Sequence, residues 1–150
     1  MDHYRDLGLL ILRLGFGLSF FWHHGYPKLA GGPQTWERIG DAVSNVGIDF
    51  AHAAWGLAAA LSEGVGGLLF AAGLFFRPVC VAMFGVMVFA TIEQFGREMP
   101  QPEHALKNAF VLAGLFFVGP GRYTVGSLVR GSRKIAIVAK PDGRKPETTK

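Results

Sequence analysis

A single cysteine, Cys80, excludes a disulfide framework and a cysteine-based metal site within one chain. Histidine is present without ligand spacing: His23, His24, His52 and His104 form no H-x-x-x-H pair, so no metal site is expected. The net charge of +4 comes with no zinc-finger or basic-zipper pattern, which argues against nucleic acid. Nor is there a phosphate or dinucleotide loop, because the glycines at 64, 66 and 67 lie inside an apolar run. No small-residue cleavage site follows the first apolar segment, which reads as a retained helix rather than a signal peptide. Above all, the apolar segments lack polar faces at helical period, which a soluble helical bundle would need.

Four apolar segments are present. They run from Leu7 to Trp22, from Ala51 to Phe76, from Val79 to Ile92 and from Ala105 to Val118. Crossing a hydrocarbon core takes about 20 helical residues, and flanking residues extend the segments to helices at about 4–24, 51–76, 77–95 and 102–119. The expected fold is all-α: a transmembrane four-helix bundle over residues 1–126, with a flexible basic tail over 127–150. An apolar patch in that tail, "IAIV" at 135–138, suits a short strand or a surface contact. Residues 25–50 form a polar, aromatic link on the periplasmic side, and its middle, 34–46, suits a short interfacial helix.

The basic residues predict the orientation. Arg5, Arg77 and eight residues from Arg122 to Lys150 share the side that carries the termini, against Lys28, Arg38, Arg97 and Lys107 on the other. The positive-inside rule then places both termini in the cytoplasm. The basic tail reads as an anchor beside the lipid surface.

Ionisable residues inside a span are costly and turn toward partners or a wet cavity. Helix rise places Glu63, Glu93 and Lys107 about 18–22 Å above the cytoplasmic ends, with Arg13 lower at about 14 Å. Arg13, Gly17, Phe20 and His24 recur at steps of four, three and four, one helical stripe, with His23 aside. These residues are expected to form one cluster in the outer half, in which Arg13 approaches Glu63. Two readings stay open: a neutralised core that locks the helices, and a pocket walled by Phe20, Phe21, Trp22 and Phe89. Such a pocket suits a flat apolar ligand with polar ends, such as a quinone.

Three stretches, "LRLGFGLSFFWHHGYPKLAGGPQTWERIG", "FAHAAWGLAAALSEGVGGLLFAAGLFFRP" and "HALKNAFVLAGLFFVGPGRYTV", resemble the DoxX family of small bacterial four-helix membrane proteins. The resemblance covers about residues 7–126 and sets Arg13, His24, Gly25, Pro27, Lys28, Glu63, Arg77 and the 119–121 turn on family positions. It implies association with thiosulfate:quinone oxidoreduction, oxidative-stress and thiol-redox systems, or quinone detoxification. Two departures stand out. Thr124-Val125-Gly126 replaces a frequent Ser-Leu-Asp, and the third helix ends in Glu93-Gln94 where a histidine is expected.

Residues and resemblance together suggest a quinone-linked redox component or subunit of the inner membrane. His24, Glu63 and Glu93 are the expected proton-handling residues, and Arg13, Phe20, His24, Lys28, Glu63 and Lys107 the expected ligand contacts. Quinone is the one cofactor suggested. The expected partners are the bilayer, a soluble or membrane redox protein and further copies of the chain. The alternatives are a non-enzymatic scaffold that recruits a soluble redox enzyme, and a small-solute or proton carrier.

Overall fold

The computed structural model describes residues 2–95 and 102–127. Every regular element among them is helical: α1 (Asp2–Phe20), a π turn (Phe21–Gly25), α2 (Tyr26–Ala30), α3 (Gly32–Gly40), a 3-10 turn (Asp41–Val46), α4 (His52–Ala72), α5 (Phe76–Phe95) and α6 (Glu103–Val118). Three stretches, His3–Ala30, His52–Ala72 and Phe76–Phe95, are long and apolar enough to cross a membrane. Helix α6 is shorter at 16 residues, about 24 Å of rise. The chain is therefore an all-α membrane bundle. The tail expected over 127–150, with its 135–138 patch, lies outside the described residues from 128 onward.

The core is aromatic and thioether-rich. Phe16 stacks on Phe20 at 4.8 Å and tilts against Phe70 at 5.5 Å, and Phe70 stacks on Phe76 at 4.8 Å. Met83, Met87, Leu112 and Leu115 complete this layer from α5 and α6. In lipid, helix association depends on close packing rather than on exclusion of water. The α1–α4 seam meets that demand with glycine, since a Cβ on Gly25 would collide with Gly64 Cα.

That contact exists because of the π turn. The buried stripe of α1 runs Asp6, Leu9, Arg13, Gly17, Phe20, in steps of three and four, and then jumps five residues to Gly25. A π turn inserts one extra residue into the helical ladder. The inward position passes from His24 to Gly25, and His24 is exposed. The expected stripe thus holds through Phe20 and fails at its last member.

The link at 25–50 is more than a strip along the interface. Helix α3 and the 3-10 turn pack along the N-terminal half of α4, where a Cβ on Gly40 would collide with the His52 carbonyl. Trp36 Nε1 donates to the Lys28 carbonyl at 2.9 Å and ties α3 back to α2.

At the end of the bundle where α1 begins, the segment after α6 folds onto α1. The Asp6 carboxylate accepts the Arg122 N–H at 3.2 Å, and the Tyr123 hydroxyl meets His3 Nδ1 at 2.8 Å. Arg13 is fully buried and donates from Nη2 to the Tyr123 carbonyl, while Nη1 packs against Gly73. Gly73 is the left-handed cap of α4 at φ 70. Glu63 lies ten residues earlier on α4, about 15 Å away by helix rise.

The expected approach of Arg13 to Glu63 is therefore not what the fold builds. Arg13 fastens the chain after α6 to α1 and to the end of α4. A hydrogen bond from a charged donor contributes about 1.5–3 kcal/mol. Because Nε and Nη1 have no aligned acceptor among the described residues, Arg13→Met should cost toward the lower end, about 1.5 kcal/mol. The check is the thermal midpoint of the variant against wild type in one detergent.

Candidate functional site

The polar centre of the bundle is a pair that joins α2 to α4. Pro27 lies at the start of α2, and Lys28 follows it. Lys28 Nζ lies 2.5 Å from Glu63 Oε2, with side-chain exposures of 25% and 0%. Glu63 sits on the buried face of α4 between Ala60 and Gly64. Neither of its oxygens receives an aligned hydrogen bond among the described residues, so the contact with Lys28 is one of charge on charge. A carboxylate taken out of water carries a penalty of several kcal/mol, which a close ammonium offsets.

Lys28 also lines a cavity of about 270 Å³ between α4 and α5. The wall from α4 is Trp55, Ala58, Ala59 and Ser62, and that from α5 includes Gly85, Val86, Phe89 and, at the end of the helix, Glu93. Ile39, Ala42 and Val43 of α3 and the 3-10 turn close the third side. His52 holds this third wall in place, its Nδ1 lying 3.1 Å from Asp41 Oδ1 and its Nε2 3.3 Å from Ser44 Oγ. With the proton on Nδ1, the ring donates to the carboxylate and accepts from the hydroxyl, so both edges of the turn are fastened to the head of α4.

The residues expected at the site fall into three groups. Lys28, Glu93 and Phe89 line the cavity, and Glu63, buried behind it, joins them through its pair with Lys28. His24 stands beside them on the α1 side, its ring 5.1 Å from Phe20, close enough for the charges of Glu63, Lys28, His23 and His104 to act on it. The others are elsewhere. Arg13 is at the far end, and Phe20 is in the aromatic core. Trp22 is exposed and stacks on Tyr26 at 5.9 Å. Lys107 pairs with Glu103 at 2.9 Å, both side chains largely exposed.

Lys107 misses the cluster for a simple reason. Equal depth does not imply an equal face, and the i, i+4 neighbour on its own helix satisfies it. Lys28 was expected among the ligand contacts, on the link that follows the first helix. It turns inward, because the π turn and α2 prolong the first helix along α4. The third wall, Ile39, Ala42 and Val43, falls within the helix expected over 34–46, but its packing against α4 was not expected. The pair Gly40 and Gly56 is what permits α3 to lie against α4. Among the described residues, no group of three or more His, Cys, Asp and Glu gathers to hold a metal.

A family model described as DoxX matches residues 8–94. No curated protein and no solved structure matches the chain.

Proposed function

The chain belongs to the DoxX family, and we propose that it is a quinone-linked membrane component that seats a ring-sized headgroup in the cavity beside Lys28 and Glu63. The observation that carries this reading is a fully buried carboxylate paired with one lysine, and that lysine lines an otherwise largely apolar cavity. Intramembrane ionisable residues in such a setting mark ligand or proton sites more often than they add stability. At about 270 Å³, the cavity lies just under the usual range for ligand pockets, about 300–1,000 Å³, and suits a ring system of one or two rings.

In this reading the Lys28 ammonium stays against Glu63 as its counter-charge and offers an N–H to a ring oxygen. Phe89 packs against the ring, and Glu63 accepts or returns a proton. His24, exposed beside the pair, exchanges that proton with solvent, and Glu93 adds a second carboxylate toward the loop end. Reduction of a quinone to a quinol takes two electrons and two protons. The chain's own residues hold and move the protons, and the electrons come from a partner redox protein. The associated localisation is the bacterial inner membrane with both termini in the cytoplasm.

The test is purification in mild detergent, followed by lipid extraction and mass spectrometry. About one quinone per folded chain is expected, falling at least tenfold in Glu63→Gln with folding intact. No ring-headed ligand in the folded wild type, together with a soluble partner lost on deletion of residues 127–150, would establish the scaffold instead.

A further inference from the structure

The cavity beside Lys28 does not end blindly. Its wall toward the start of α5 is Val81, and Val81 also lines a second hollow of about 160 Å³ between α5 and α6. Cys80 and Leu112, exposed by 1% and 0%, form the floor of this hollow. Phe84, Ala113, Phe116 and Phe117 complete it, so the only heteroatom offered by a lining side chain is the Cys80 sulfur. Val81 is itself 58% exposed and forms a low saddle between the two hollows on the outer surface of α5.

We infer that the ligand is a ring-headed amphiphile with a single apolar chain, its head beside Lys28 and its chain laid over Val81 into the α5–α6 hollow. This rests on the headgroup reading above and adds the ligand's second half. Three observations support it. The first hollow carries its polar groups on Lys28, Ser62 and Glu93, whereas the second has only a thiol. The two share a residue, so one molecule can occupy both without crossing a helix. The path also opens sideways toward lipid, the phase in which such a molecule dissolves.

The expected gain is modest. A chain that leaves lipid for the hollow gains no hydrophobic free energy, because lipid tails are as apolar as the wall. What it gains is dispersion contact with the aromatic rings and a fixed direction of exit. Single-chain quinones should therefore bind about three- to tenfold more tightly than the tail-less ring, counted as mole fraction in the membrane.

The experiment measures binding of ring-matched quinones with no, one, two and three prenyl units to the full chain in nanodiscs. Ala113→Phe, which fills the hollow from a half-buried position, should abolish the dependence on chain length and leave tail-less binding unchanged. Phe117→Ala, which strips a ring from the second hollow at a residue that does not line the first, should weaken the dependence on chain length in the same way and guards against a folding defect in the first variant. Equal affinity for tailed and tail-less ligands would overturn the chain subsite and leave the headgroup reading intact. A chain-length effect that persists in both variants would overturn it too, and would show general partitioning into lipid. Failure of every ligand in the series to bind would sink both proposals.

Discussion

Lys28→Met should destabilise the protein by about 3–5 kcal/mol, the effect of leaving one member of a buried ion pair without its partner. The reason is specific to Glu63. Its carboxylate is fully buried, receives no aligned hydrogen bond among the described residues, and has Lys28 Nζ at 2.5 Å as its counter-charge. Glu63→Leu should be milder, since Lys28 keeps 25% of its side-chain surface exposed and can redirect its ammonium toward the cavity. The double variant Lys28→Met, Glu63→Leu should recover most of the loss, because replacing both charges with apolar groups of similar volume is often neutral or stabilising. Thermal midpoints of the four proteins in one detergent provide the cycle. A double variant that is stable but empty of ligand would show that the pair is kept for function rather than for folding. If Lys28→Met were as stable as wild type, the pair would not be the counter-charge system described above.

The second large effect is expected at Gly56. A Cβ there would overlap the Trp36 carbonyl, a backbone atom that cannot rotate away. Gly56→Ala must therefore lift α3 off α4. Overpacking of this kind costs about 1–3 kcal/mol and sometimes more, and the upper end applies because the helix must move as a unit. The displacement carries Val43 and Ile39 away from the cavity, so ligand binding should fall at least tenfold. Gly114→Ala is the control. Gly114 has open space around its Cβ position, and replacing glycine within a helix by alanine should stabilise by about 0.5–1 kcal/mol. Equal loss of ligand in both variants would mean that the α3 wall has no part in the site.

These two positions were differently visible in the sequence. The four apolar segments, their approximate limits and the all-α membrane class follow from composition and length, because a segment without a polar face must bury every side against protein or lipid. Glu63 was conspicuous for the same reason, as the only ionisable residue of its span after His52. Its partner was not. Arg13 and Lys107 lie at suitable nominal depths, but depth along separate helices carries no information on rotation about them. The fold spends Arg13 on the Tyr123 carbonyl and Lys107 on Glu103.

The π turn shows the limit most plainly. A stripe projected at a uniform helical period places His24 inward, and one extra residue in the ladder puts Gly25 there instead. Whether a helix accepts that insertion depends on what it gains elsewhere. Here the gain is the contact of Gly25 with Gly64 on α4, an event between residues 39 positions apart that no local pattern records. The same holds for the third wall of the cavity, which exists only because Gly40 and Gly56 let two backbones meet.

By itself, then, the sequence determined that this chain is a helical membrane protein with an acid buried at Glu63, since hydropathy and the energetic penalty of charge in lipid act residue by residue. The tertiary structure alone decided that Lys28 answers that acid, and that the space beside the pair lies between α4 and α5. Those outcomes depend on helix rotation and on the close approach of glycine backbones, which are properties of pairs of segments and not of either one.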